Sequence, residues 1–134
     1  MRLSKNLSRS EFVCRCSCGF NAVDIELITL IQGAADYFKK MHKADRVFII
    51  ITSGNRCARH NAIEGGVYSS QHILGIAADH KIKVKIKGNT FTVDAEDLAA
   101  YYSELHPEKL GIGIYPKGRV HLDVREFPAR WNKG

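Results

Sequence analysis

The run from Arg46 to Ser53 constrains the fold of this chain most, because it is short, β-branched and almost wholly apolar. This composition is typical of a β-strand, and a continuous apolar run predicts a strand buried on both faces. We therefore expect Arg46–Ser53 to lie centrally in a sheet. The whole chain has 134 residues, which is enough to bury a core around that sheet as a single domain, residues 1–134.

Two amphipathic helices are predicted on either side of the central part of the chain. Apolar residues recur at helical spacing after Asp24, and the pattern continues to about His42. Asp24 or Asn21 would cap this helix. A second pattern of the same kind follows Asp94 and runs from Ala95 to about Leu105. Each helix has one apolar face, which must be covered by a sheet or by the other helix.

Alternating apolar and polar residues predict two β-hairpins in the second half of the chain. One has arms at about Ile76–Ile86 and Thr90–Val93, and the other has arms at Gly111–Tyr115 and Arg119–Val124. Helices and strands do not alternate regularly, so we predict an α+β fold. We expect an antiparallel sheet, a long N-terminal helix and a second helix packed against it. Residues 1–20 are expected to form an irregular N-terminal strap on this domain.

The net charge of +6 and the isoelectric point near 9.3 favour an anionic partner. Lysines are densest between His80 and Lys87, where they alternate with apolar residues. This alternation is typical of a strand with one solvated face, and binding of a polyanion is the alternative interpretation. No nucleic-acid recognition motif accompanies the charge, so we expect no nucleic-acid partner.

The chain contains no sequence that would place it in a membrane. No apolar run approaches the ~20 residues needed to cross a bilayer, so no membrane insertion is expected. Met1–Leu7 is too polar for a signal peptide. We therefore expect cytoplasmic synthesis without a signal peptide, and we expect a monomer.

The cysteines leave three interpretations open. They are Cys14, Cys16, Cys18 and Cys57. The alternate spacing of the first three is unlike the usual knuckle of a structural zinc site. A disulfide from one of them to Cys57 would depend on the compartment. Free, partly buried thiols are the state we expect.

A zinc site is predicted from residues in two separate stretches. His72 and Asp79 lie close together in sequence, and His121 lies on a later alternating segment. Imidazole and carboxylate groups are good Zn²⁺ ligands, and a catalytic zinc needs three protein ligands with one position left for water. Asp123 is two residues after His121, so on a strand both side chains emerge on the same face. His80 should point to the opposite face from Asp79.

Three aromatic side chains are candidates for the lining of a cleft near these ligands. They are Tyr68, Tyr115 and Trp131. Their rings can stack on sugar or peptide planes. Packing in the core or at its rim is the alternative role for each of them.

The residues around the predicted ligands resemble a known family. Ser70–Asp79, followed by a strand that contains a histidine, resembles the signature of the zinc D-alanyl-D-alanine carboxypeptidase family. Ser53–Arg56 resembles the Ser-Gly-Tyr-Arg element of that family. Residues 111–131 resemble the closing segment of its short, single-domain members, which include bacterial and phage cell-wall endopeptidases. The resemblance extends over residues 11–131.

The resemblance implies a zinc peptidase that hydrolyses peptidoglycan stem or cross-link peptides, as a carboxypeptidase or as an endopeptidase of the endolysin type. It implies one Zn²⁺ per chain in a surface cleft, held by His72, Asp79 and His121. Arg56 would bind a substrate carboxylate or the developing oxyanion. The residues predicted to contact substrate are Arg56, Ser70, Tyr115 and Trp131.

The chain departs from the family pattern at the residue that would transfer the proton. Many members carry an acidic residue two or three positions before the last histidine, where this chain has Gly118 and Arg119. Neither can accept a proton from a zinc-bound water. Asp123 is therefore the predicted catalytic base, and the alternative is that it holds His121 by its other ring nitrogen. Further candidates for the base are Glu64 and His60.

Two functions follow from these observations. The first is a peptidase whose partners are peptidoglycan peptides and which acts on the cell wall after phage-type release. The second is a zinc-stabilised module without catalysis that binds the cell wall or another polyanion through its basic surface. Cleavage of wall peptides distinguishes the two.

Overall fold

A computed structural model of the chain describes residues 2–12, 24–53 and 76–134. The described strands are β1 (Arg2–Ser4), β2 (Leu7–Ser8), β3 (Arg46–Ser53), β4 (Ala77–Ile86), β5 (Asn89–Thr92), β6 (Gly111–Ile114), β7 (Val120–Asp123) and β8 (Ala129–Asn132). The α-helices are α1 (Ile25–Met41) and α2 (Ala95–Leu105), and short 3₁₀ turns cover Arg9–Phe12 and Pro116–Gly118. Within this part of the chain, none of the helices has both the length and the apolar character needed to span a bilayer.

Both helices begin where their capping residues predict. The carboxylate of Asp24 accepts a hydrogen bond from the backbone N–H of Glu26, and Asp94 does the same for Glu96. These bonds satisfy backbone donors that the first turn of a helix leaves without partners. The apolar face of α1 packs against β3 and β4, and α2 contacts β6 and β7. The helices therefore cover one face of the sheet.

Six of the described strands form one sheet, in the order β3-β4-β7-β6-β8, with β5 also paired to β4. β4 is the long central strand, and its side chains divide between two faces. Ala78, His80, Ile82 and Val84 are buried beneath the helices, whereas Lys81 is partly exposed on the opposite side. We call this opposite side the open face of the sheet. Among the described residues, Asp79, His121, Asp123 and Trp131 lie on this face.

His80 is fixed within the core on the helix-covered side, as expected from its position beside Asp79. Its Nδ1 lies 3.3 Å from the carbonyl oxygen of Ala78, and its Nε2 lies 2.8 Å from the hydroxyl of Tyr102 on α2. Burial lowers the pKa of His80 to about 4, so the ring is neutral near pH 7. Nδ1 therefore donates to Ala78, and Nε2 accepts from Tyr102.

The prediction that β3 is central and buried on both faces is wrong. Among the described strands, β3 pairs only with β4 and stands at one end of the sheet order. Val47, Ile49 and Ile51 are buried, whereas Phe48 and Ile50 are 37% and 39% exposed. Helix α1 covers only one face, and the neighbours of the exposed pair on β4 are lysines. Apolar composition alone did not reveal which face was left open.

The prediction of an antiparallel sheet is also incomplete, because the sheet is mixed. β8 pairs with β6 in parallel, and the other described pairs in this sheet are antiparallel. The cause is topological. β7 is already paired on both sides, with β4 and β6, so the returning chain pairs with the free side of β6. Because β6 and β7 are antiparallel, a strand that reverses direction after β7 runs parallel to β6.

Residues 2–12 precede α1 and form a small two-stranded hairpin, followed by a 3₁₀ turn. Leu7 and Phe12 are fully buried in the main core. Gln32 of α1 accepts hydrogen bonds from Ser4 and from the backbone of Asn6. This part of the predicted N-terminal strap thus packs on the domain through both apolar and polar contacts.

Candidate metal centre

Asp79 and His121 lie directly opposite each other in the antiparallel pair of β4 and β7. Side chains at opposed positions of neighbouring strands project from the same face. The carboxylate Oδ1 of Asp79 lies 2.8 Å from Nδ1 of His121. The juxtaposition that the sequence predicted for these two residues is therefore present on the open face, and their role as metal ligands stays a prediction.

His121 is held between two carboxylates. Its second ring nitrogen, Nε2, lies 2.7 Å from Oδ2 of Asp123, which is two residues further along β7. Burial alone would lower the pKa of His121, but hydrogen bonds to Asp123 and Asp79 outweigh burial, and the net direction is upwards. With both nitrogens facing carboxylates, the protonated ring is the form that satisfies both contacts in the absence of a metal.

Asp123 is buried, and both of its carboxylate oxygens are in hydrogen-bond contact with neighbouring side chains. Arg125 donates from Nε to Oδ1 and from Nη2 to Oδ2, both at 2.7 Å. Burial would raise the pKa of Asp123, yet the hydrogen bonds from His121 and Arg125 hold it well below its usual range. A carboxylate with such a low pKa is a weak proton acceptor. The contacts of Asp123 with His121 and Arg125 fit the orienting role, and its role as general base stays a prediction.

One predicted substrate-contact residue, Trp131, contacts His121, and a second, Tyr115, contacts Trp131. The indole ring of Trp131, on β8, lies 5.1 Å from the His121 ring, measured between centroids. The indole N–H donates a 2.9 Å hydrogen bond to the hydroxyl of Tyr115. The parallel strand β8 thus brings Trp131 to the site, and Trp131 fixes the position of Tyr115.

Gly111 and Gly113 on β6 leave room for these side chains on the open face. A Cβ atom at Gly113 would lie 2.2 Å from the indole nitrogen of Trp131. A Cβ atom at Gly111 would lie 2.3 Å from the Asp123 carboxylate. Glycine inside a strand often marks such a close approach. The two glycines allow Asp123 and Trp131 to lie flat across the neighbouring strand.

We expect Gly113→Ala to displace the indole of Trp131, because no real Cβ atom tolerates a 2.2 Å contact. Trp131 is the only tryptophan in the chain, so a shift in fluorescence emission would report the displacement. The free energy of unfolding should fall by about 1–3 kcal/mol, as for other overpacking changes. Gly33→Ala within α1 is the control and should leave the emission unchanged. An unchanged emission spectrum in Gly113→Ala would contradict the packing described here.

Several predicted site residues lie outside the residues that the structure describes. They are His72, Arg56 and Ser70, together with Tyr68, His60, Glu64 and the four cysteines. Within residues 2–12, 24–53 and 76–134, no group of three or more acidic, histidine or cysteine side chains is placed to hold a metal ion. The described part of the chain thus supplies a pair of candidate ligands, and the third predicted ligand comes from elsewhere.

The chemistry of the described pair fits Zn²⁺. An imidazole nitrogen and a carboxylate oxygen face each other across neighbouring strands, and both are common zinc ligands. The opposite nitrogen of His121 contacts Asp123, which would fix the ring orientation and leave Nδ1 as the ligating atom. The pair therefore fits a site that His72 would complete.

Arg125, Gly111 and Gly113 were not identified from the sequence as site residues. Arg125 continues the alternation of His121 and Asp123, so its face was predictable from the spacing. The Gly-x-Gly pattern inside a predicted strand was the available signal for a close contact. Neither signal indicates by itself which side chain would fill the space.

An imidazole with a carboxylate behind it is the common arrangement of a metal-binding histidine, so the contacts of His121 are compatible with a metal site. A sequence model of the Peptidase M15 family matches residues 5–123. The chain belongs to this family of metallopeptidases. No curated protein and no solved structure matches the chain.

Proposed function

We propose that this protein is a zinc-dependent peptidase that hydrolyses peptide bonds in peptidoglycan stem or cross-link peptides. The observation that carries the proposal is the Asp79–His121–Asp123 arrangement on the open face of a Peptidase M15 chain. The protein acts as a monomer on the cell wall, which it reaches by phage-type release.

One Zn²⁺ would be held by His72, Asp79 and His121. When bound, zinc lowers the pKa of its water and polarises the scissile carbonyl. Arg56 would bind a carboxylate of the substrate or the developing oxyanion through its planar donor fork.

The other described residues position the site. Asp123, itself held by Arg125, keeps Nε2 of His121 protonated and its ring fixed. Trp131 and Tyr115 provide a connected aromatic surface beside His121, against which a peptide can stack. Because both oxygens of Asp123 already accept hydrogen bonds, Glu64 and His60 are proposed beside it as candidates for proton transfer.

Digestion of defined muropeptides with zinc-loaded protein, analysed by mass spectrometry, tests this function. We expect cleavage at a single type of peptide bond, and loss of cleavage when a chelator removes the metal. The masses of the products identify the bond. Binding of zinc and of wall material without any cleavage product would instead favour the non-catalytic binding module.

A further inference from the structure

Arg119 lies beside the candidate metal centre and has no role in the function proposed above. It precedes β7 in an extended conformation, two residues before His121. Side chains two apart on an extended chain share a face, so Arg119 belongs to the open face together with His121 and Asp123. A cation thus occupies the position at which an acidic residue had been expected.

The side chain of Arg119 is fixed in place while part of its hydrogen-bonding capacity is unused. Its guanidinium carbon lies 4.8 Å from the centre of the Tyr115 ring, which is a cation–π contact. Its Nε atom is buried and has no hydrogen-bond partner among the residues that the structure describes. Tyr115 is in turn held by Trp131, which contacts His121. A continuous row of side chains therefore joins Arg119 to the centre.

A second cation lies on the same side. Lys81 is two residues after Asp79 on β4 and shares its face. Lys81 and Tyr115 line a cavity of about 570 Å³, together with Lys117 and Asn132. The site defined by Asp79 and His121 is thus flanked by positive charge next to an open volume.

Acidic residues also line this cavity, at the start of α2. They are Asp94 and Glu96. The Oδ1 atom of Asp94 already accepts the backbone N–H of Glu96 as a helix cap. An anionic group would therefore lie on the side of Arg119 and Lys81, away from these carboxylates.

We propose that Arg119, assisted by Lys81, binds a free carboxylate of the substrate peptide close to the bond that is cut. The inference rests on the proposed function, since it assigns a recognition site for that substrate. A guanidinium presents a planar fork of donors that matches a carboxylate, and its stacking on Tyr115 keeps the fork in one orientation. Peptides with free carboxylates would then be preferred over peptides with amidated ones.

Trp131 is the only tryptophan, and it contacts Tyr115, on which Arg119 stacks. Its fluorescence can therefore report binding at Arg119 separately from hydrolysis. The probes are a synthetic stem pentapeptide with free carboxylates and the same peptide with every carboxylate amidated. Stopped-flow fluorescence of the zinc-loaded protein reads binding before hydrolysis. We expect the free peptide to bind about 10- to 100-fold more tightly than the amide, and Arg119→Met to remove this difference.

Two further variants separate the effect of the positive charge from the effect of the guanidinium fork. Lys85→Met makes the same change in charge further along the open face and should keep the preference. Arg119→Lys keeps the charge but loses the fork, so its preference should be intermediate. The inference is overturned if Arg119→Met retains the preference, or if the wild type binds both peptides equally or binds neither. A protein that prefers the free peptide but cleaves no muropeptide would refute the proposed function and the link to a cut bond, and only the binding of carboxylates by Arg119 would then be supported.

Discussion

Asp79→Asn is expected to abolish zinc binding and peptide hydrolysis together. The carboxylate of Asp79 lies 2.8 Å from Nδ1 of His121. A ligating imidazole is neutral, so of these two residues only Asp79 would bring negative charge to a divalent cation. An amide is a much poorer zinc ligand than a carboxylate. Hydrolysis should fall by at least about 10³-fold, which corresponds to several kcal/mol of lost stabilisation of the transition state. Elemental analysis and muropeptide digestion measure the two losses.

The matched control for this change is Asp36→Asn. Asp36 is an exposed carboxylate on α1, on the far side of the sheet, so its substitution changes the net charge equally. It should leave zinc content and hydrolysis unaltered. Retention of one equivalent of zinc by Asp79→Asn would rule out Asp79 as a ligand. Circular dichroism of both variants shows whether the fold is preserved.

Asp123→Asn is expected to weaken zinc binding by about 10- to 100-fold while leaving most of the turnover at saturating zinc. Asp123 contacts Nε2 of His121 and neutralises Arg125 from a fully buried position. Its replacement loosens the histidine and leaves Arg125 with an uncharged partner, but removes no predicted ligand. Competition with a chelator gives the affinity, and kcat measured over a zinc series gives the turnover.

The opposite pattern would identify Asp123 as the general base. In that case zinc affinity would be unchanged, and kcat at saturating zinc would fall by about 10²- to 10⁴-fold. Arg125→Gln is a useful companion variant, because it leaves the Asp123 carboxylate in place and removes the charge that depresses its pKa. If Asp123 only orients His121, Arg125→Gln should weaken zinc binding less than Asp123→Asn does.

Elements defined by local patterns were predictable from the sequence. Helix α2 occupies the predicted residues Ala95–Leu105, and α1 ends within one residue of the predicted position at His42. The β4–β5 and β6–β7 hairpins are also confirmed. Capping, apolar periodicity and short turns are encoded within a few residues, so they need no knowledge of distant contacts.

Features that depend on distant contacts were not predictable. The face of β3 that stays open is set by where α1 packs, and the parallel pairing of β8 follows from the occupied sides of β7. In the site, the juxtaposition of Asp79 and His121 was predictable because both lie on predicted strands. The engagement of Asp123 by Arg125 was not, and the assignment of Asp123 as general base stays a prediction. The assignments of His72, Arg56 and Ser70 stay predictions.

The alternation along β4 places a candidate ligand and a core histidine on consecutive residues. A slip of one position in strand pairing would turn Asp79 into the core and His80 towards solvent. The bond between His80 and Tyr102, formed on the helix-covered side, therefore opposes such a slip. The alignment of Asp79 with His121 is thus supported by a contact that forms on the opposite face of the sheet.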